Sequence, residues 1–185
     1  MACMLATIVL LLIPWYQLGI EFPTLLAGGK MIIDSKYFIA GTLVMLFFLL
    51  KIFEIHIDPN KKENAKLIFS LEEASEQFLI TGLLIILAFN GFISVIIPII
   101  CLLKLILVDT MKKISVHNGK MIEKSKLGYC ETVFLGLGII LLLFYNLPFE
   151  LWNIYLADVL VMIGAALCML NGMIYYFKAK NILFN

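Results

Sequence analysis

The sequence contains no arginine. All fourteen basic residues are lysines, set against thirteen acidic residues, and the formal net charge is +1. A lysine ammonium is a compact point charge, without the planar bidentate fork of a guanidinium. Any anion site in this chain therefore rests on lysine or on backbone N–H groups. Charge of either sign is also scarce. Only 15% of the 185 residues are charged, 63% are hydrophobic, and the mean hydropathy is +1.04. Soluble domains run at about 45–50% apolar and about 25% charged. The excess excludes a soluble single-domain enzyme, a disordered chain and a nucleic-acid partner, and it points to lipid as the solvent. Cysteine is sparse as well. Cys3, Cys101, Cys130 and Cys168 show neither CxxC pairing nor metal-ligand spacing. Three of them lie in apolar stretches, where they read as small core hydrophobes rather than a disulfide framework.

What is abundant is the long apolar run. Six segments stand out, over roughly 4–20, 36–54, 70–90, 92–111, 128–147 and 153–178. Each approaches the ~20 residues that a helix needs to cross a bilayer, and an open sheet cannot satisfy its backbone in lipid. The expectation is an all-α integral membrane protein: one transmembrane domain over 1–185, with six helices. Asn90-Gly91 is expected to make a tight turn between the third and fourth segments, and Leu147-Pro148 to break the chain after the fifth. Pro14 and Pro98 are tolerated inside spans where neighbours re-satisfy the freed carbonyls. The N-terminal run lacks a basic leader and a clear cleavage site, so a retained helix is expected.

Lysine placement sets orientation. Three lysines (Lys61, Lys62, Lys66) lie after the second segment and five (Lys112, Lys113, Lys120, Lys124, Lys126) after the fourth. Two more, Lys178 and Lys180, close the chain, while Lys30 and Lys36 alone fall on the other side. Both termini are thus expected in the cytoplasm, in a multi-pass bacterial cell-membrane protein. Tyr175-Tyr176-Phe177 reads as an aromatic anchor at the interface.

A charge near the middle of a span costs about 2.5–3.5 kcal/mol on insertion scales, so such residues usually face the bundle interior and find partners. Lys51 and Glu54 are three apart. Glu72 and Glu76 are four apart, with Glu73 between. These spacings put each pair on one helix face, at cytoplasmic ends of consecutive helices. One reading is a converging constellation; the other is interfacial charge that snorkels to water. Lys104 and Lys112, just over two turns apart, with Lys124 and Lys126, would form a cationic rim for phosphate or lipid headgroups. The alternative is lysine held by anionic lipid. His56 and His117 have no partners at metal-ligand spacing. His117 with Cys130 allows one more alternative, a membrane peptide-processing protein, because such an enzyme needs a thiolate and a base.

This arrangement resembles the CDP-alcohol phosphatidyltransferases, in particular the bacterial phosphatidylglycerophosphate synthases. Their signature D-x2-D-G-x2-A-R-x8-G-x3-D-x3-D, laid without gaps on this chain, puts its four aspartates on Lys51, Glu54, Glu72 and Glu76. Its glycines fall on Ile55 and Ile68, its alanine on Asp58 and its arginine on Pro59. Leu103 to Lys112 is similar to the family's A-R-E-F-x5-R, with Lys104 and Lys112 at the arginines. Lys124-Ser125-Lys126 is similar to its G-K-x-K, and Asn171 to Phe177 to its S-G-x-x-Y-x-x. The likeness runs through nearly the whole chain in order and topology.

The resemblance implies a six-helix bundle with cytoplasmic termini, a homodimer, and two divalent metals (Mg²⁺ or Mn²⁺) under the CDP pyrophosphate. Glu54, Glu72 and Glu76 would stand at metal positions, and Glu76 at the position of the base. Lys51 replaces a ligand, so the four positions sum to −2 instead of −4. Hard divalent cations need dense oxygen ligation. Glutamate for aspartate moves the carboxylate by about 1.5 Å in a site that demands sub-ångström placement. Isoleucine for glycine crowds the nucleotide's approach. The expectation is a degenerate relative with no metal cofactor, acting as a membrane scaffold, a lipid-binding protein or the partner subunit of another membrane protein. The alternative is an active transferase that moves a phosphatidyl group from CDP-diacylglycerol to an alcohol such as glycerol 3-phosphate.

Overall fold

The computed structural model describes residues 2–12, 19–23, 30–57, 66–117, 125–147, 149 and 155–184. The described residues form six helices: α1 Ala2–Leu12, α2 Ser35–Ile57, α3 Lys66–Phe89, α4 Ile96–His117, α5 Lys126–Leu143 and α6 Leu156–Phe184. A helical architecture is what the apolar runs predict. Two helical stretches, Lys126–Leu143 and Leu156–Lys180, are long and apolar enough to cross a bilayer.

The boundaries differ from the hydropathy reading in instructive ways. The described part of the first helix is Ala2–Leu12, and Gly19–Pro23, which overlaps the end of the first apolar segment, is strand rather than helix. Strand β1 (Gly19–Pro23) pairs antiparallel with β2 (Lys30–Asp34), Glu21 opposite Ile32. Hydropathy is blind to this hairpin because its five-residue strands, broken by Glu21, Lys30 and Asp34, are too short and too charged to register as an apolar run. The fourth helix starts at Ile96, because Gly91 (φ +79°) has already turned the chain. Pro98 therefore sits in the first turn of α4, where its missing N–H has no intrahelical acceptor to lose. The fifth helix stops at Leu143. Tyr145 and Asn146 adopt left-handed backbone (φ 54° and 57°), and the Asn146 side-chain oxygen accepts the Ala157 amide at 3.2 Å. One residue thus ends α5 and satisfies an orphan donor at the start of α6. At the other end of α5, Ser125 is the N-cap, its hydroxyl accepting the Gly128 amide at 3.1 Å.

Helix periodicity explains the packing. In α3 the buried face repeats every three or four residues through Glu73, Glu76, Ile80, Leu83 and Leu87, while Phe78, Ile85 and Phe89 point outward. In α6 the inward stripe is Ala157, Val161, Ala165, Cys168, Asn171, Tyr175 and Ala179. Small side chains let α6 pack closely. A Cβ added to Gly138 of α5 would lie 2.5 Å from Val161 Cγ2, and one added to Gly164 would lie 2.6 Å from Leu135 Cδ2. The core is a continuous apolar cluster drawn from all six helices, including Met4, Val44, Leu83, Cys101, Ile139 and Val161. The outer surface is apolar too: Phe89 is 90% exposed, Phe78 65% and Met162 65%. An aqueous monomer rarely exposes so much contiguous apolar surface.

The two ends of the bundle differ in chemistry. At one end Tyr37, Phe92 and Tyr145 meet edge to face, with centroids 5.1–5.8 Å apart. The C-terminal parts of α2, α4 and α6 and the N-terminal parts of α3 and α5 meet at the opposite end. The buried charges are there.

Candidate functional site: a buried polar layer

Three lysine–glutamate contacts, one buried and two part-buried, build the site. Lys51 at the end of α2 donates to Glu76 of α3, with Nζ 2.7 Å from Oε2. Lys112 of α4 donates to Glu73 of α3 at 3.1 Å. Deeper in the bundle, Lys104 of α4 donates to Glu131 of α5 at 3.0 Å and to the Gln77 side-chain oxygen at 3.3 Å. Asn171 of α6 donates to the second oxygen of Glu131 at 2.8 Å, and the Ser125 hydroxyl donates to the Asn171 oxygen. Gln77, Lys104, Glu131, Asn171 and Ser125 thus form one chain of hydrogen bonds across α3, α4, α5 and α6. Lys104 and Glu131 are each about 95% buried.

The helices place these groups by simple periodicity. Glu73, Glu76 and Gln77 fall three and four apart on the inward face of α3. Lys104 and Lys112 are two turns apart on α4, and Asn171 and Tyr175 one turn apart on α6. The Lys112 ammonium also lies over the Tyr175 ring, 5.7 Å from its centroid. Gly172 leaves room for the Lys104 stem, because a Cβ there would stand 3.3 Å from Lys104 Cγ. A buried ion needs a partner to offset its desolvation, and each of these six has one. Among the described residues, two buried polar atoms of the layer, Glu73 Oε1 and Ser115 Oγ, have no hydrogen-bond partner.

This arrangement corrects several readings of the sequence. Lys104 and Lys112 do not form an open cationic rim. Their ammoniums are turned inward and engaged by Glu131 and Glu73, because a buried carboxylate holds an ammonium more strongly than solvent-screened charges do. Lys126 is exposed at the first turn of α5, and Lys124 lies outside the described residues. Lys51 meets Glu76, as a converging constellation requires. Glu54 and Glu72 lie on α2 and α3, with side chains outside the described set, as are those of His56 and His117. Tyr175 is buried, so only Tyr176 and Phe177 of the aromatic trio face outward. Cys130 is exposed on α5 while Cys101 and Cys168 are buried. Glu131 and Asn171 are central residues that spacing arguments passed over. The rule that a charge inside an apolar run seeks a buried partner applies to Glu131 as much as to Lys104.

A divalent cation would need several converging oxygen ligands. Among the described residues, no group of three His, Cys, Asp or Glu side chains converges to hold a metal. The Glu76 carboxylate is occupied by an ammonium. Glu54 and Glu72, the other two candidate ligands, have side chains outside the described residues. The crevice beside Lys104, lined by Gln77, Thr81, Cys101, Glu131 and Thr132, has room for about one water molecule. Comparison of the chain with protein-family models and with curated proteins gave no match.

Proposed function

We propose that this chain is a six-span membrane bundle of the CDP-alcohol phosphatidyltransferase type. In this reading it is a non-catalytic member, a membrane scaffold or partner subunit. The observation that carries the reading is the 2.7 Å contact between Lys51 and Glu76. In the aligned signature these are the first metal-ligand position and the position of the base. An ammonium there repels a divalent cation and occupies the carboxylate that would take the acceptor's proton. Supporting it are the neutral pairing of Glu73 and Glu131 with lysines, the apolar outer surface and the two span-length helices. The polar layer then holds helices together rather than holding substrate.

In this reading the lysine-rich end, with both termini, faces the cytoplasm. The expected partners are membrane lipids, a second copy of the chain or another membrane protein. Maleimide labelling of single cysteines placed at Lys62 and Lys120, in a chain stripped of its own cysteines, checks the orientation. Both are expected to react only from the cytoplasmic side.

The decisive experiment incubates the purified protein with CDP-diacylglycerol, glycerol 3-phosphate and Mg²⁺ or Mn²⁺, and measures CMP. No metal-dependent release is expected. Turnover that requires metal and disappears in Glu76→Gln would establish the active-transferase alternative and end this proposal.

A further inference from the structure

The hairpin between α1 and α2 has two unlike faces. Successive residues of a strand alternate between the faces of its sheet. The register pairs Ile20 with Ile33 and Phe22 with Met31, so these four apolar residues share one face. The other face carries the pairs Gly19–Asp34, Glu21–Ile32 and Pro23–Lys30, and with them every charge of the two strands. Among the described residues, α2 is the only helix in more than marginal backbone contact with the strands, and it continues directly from β2 at Ser35. A two-stranded hairpin is at best marginally stable by itself and needs its apolar face covered. Its neighbours fix its level in the fold. In the first turn of α2, Lys36 lies over the Tyr37 ring, 4.8 Å from its centroid, and Tyr37 meets Phe92 and Tyr145. Tyrosine concentrates where hydrocarbon meets water, and lysine there reaches for the headgroups. One turn further into α2, Ile39 is 47% exposed, and Leu12 at the end of α1 is 65% exposed, so the apolar outer surface begins at this level.

We propose that the hairpin is an in-plane membrane anchor, with its Ile20, Phe22, Met31 and Ile33 face on the lipid of the leaflet opposite the lysine-rich end and its charged face in water. This rests on the reading of the chain as a membrane bundle. Lipid is the occupant because the hairpin joins the ends of α1 and α2 where their lipid-facing surface begins, at Leu12 and Ile39. The division of the strands into a wholly apolar and a charged face is the division that a lipid–water boundary selects. The ribbon cannot sit deeper. The sheet has two strands, so each has an outer edge of N–H and C=O groups outside the ladder, and hydrocarbon offers such groups no partner. At the headgroup boundary, water and headgroups satisfy those edges while the apolar face reaches about 5–10 Å inward. An anchor here fixes the height of α2, the helix that carries Lys51 toward its far end.

The test reads lipid and water exposure residue by residue. Single cysteines are placed in a full chain whose own four cysteines are replaced by alanine, labelled with a nitroxide and reconstituted into phosphatidylcholine–phosphatidylglycerol vesicles. Electron paramagnetic resonance then measures collision of each label with oxygen, which concentrates in lipid, and with a water-soluble nickel chelate. The oxygen-to-nickel ratio is expected to be several-fold higher at Ile20→Cys, Phe22→Cys, Met31→Cys and Ile33→Cys than at Glu21→Cys and Lys30→Cys. Labels at Leu103→Cys and Met162→Cys, positions 61% and 65% exposed on the bundle, report on the membrane reading separately. If those two read lipid while the hairpin shows no alternation, or while its apolar face meets neither reagent because protein covers it, the anchor is overturned and the membrane reading stands. If they read water, both fall. The parent chain supplies a measurement that needs no variant to fold. A lipid with a photoactivatable diazirine near the headgroup end of its acyl chain is expected to cross-link within 19–23 or 30–34 as well as on the outer face of α6. Cross-linking on α6 with none in the strands would overturn the anchor.

Discussion

Replacing Lys104 with methionine tests the polar layer most directly. Methionine keeps the length and apolar volume of the lysine stem, so packing against Gly172 is largely retained. What is lost is the ammonium held between Glu131 and Gln77. Glu131 is then a buried carboxylate with one remaining donor, Asn171. Breaking a buried pair by removing one partner costs about 3–5 kcal/mol, whereas a typical interhelical hydrogen bond in a membrane bundle contributes about 0.6 kcal/mol. The larger figure governs, because an uncompensated charge is stranded and not merely a hydrogen bond. A loss of 3 kcal/mol lowers the folding equilibrium constant about 150-fold. Adding Glu131→Gln removes the stranded charge and keeps an acceptor for Asn171. The double variant should therefore recover to within about 1–2 kcal/mol of the parent. The assay is a double-mutant cycle, with unfolding of the detergent-solubilised protein by SDS followed by circular dichroism. If the two single costs simply add in the double variant, the two groups are not coupled and the reasoning fails.

Other expectations are narrower. Gly138→Ala drives a Cβ to 2.5 Å from Val161 Cγ2 and 3.2 Å from the Val161 backbone nitrogen, so the same unfolding assay should show a loss of about 1–3 kcal/mol. Gly82→Ala places its Cβ in ordinary contact, 3.6 Å from Ile8 Cδ1, and should gain about 0.5–1 kcal/mol through helix propensity; a loss there would contradict the packing of α1 on α3. Lys113 pairs with Asp109 on the surface, so Lys113→Ala should shift stability by no more than about 0.5 kcal/mol. Lys51→Asp removes the ammonium from Glu76 and adds a carboxylate, and Mn²⁺ titration followed by electron paramagnetic resonance should find binding in that variant that the parent lacks.

The helical nature of the chain, the Asn90-Gly91 turn and the arginine-free chemistry were legible in the sequence. Composition and 3.6-residue periodicity are local properties, and a stretch of about twenty residues displays them without reference to the rest of the chain. The same locality shows why Glu73, Glu76 and Gln77 share a face of α3. It also explains the misreadings. The short strands, which carry Glu21, Lys30 and Asp34, fall almost wholly in the connection between the first two apolar segments and give a hydropathy window no signal, and Tyr175 looks like its outward-facing neighbours Tyr176 and Phe177.

The partners of the charged residues were decided only by tertiary structure. Lys51 finds Glu76 from 25 residues away, Lys104 finds Glu131 from 27, and Lys112 finds Glu73 from 39. Nothing in the local sequence of α4 says which neighbouring helix its lysines will meet, or whether they face a phosphate or a carboxylate. That depends on the rotation and register of one helix against another. Close-packing residues such as Gly138, Gly164 and Gly172 set both, and they act only once the helices are together. The sequence by itself determined that the scarce charges of this apolar chain must be partnered. Packing determined that the partners are each other, because burial makes an unmatched ion too costly to leave in place.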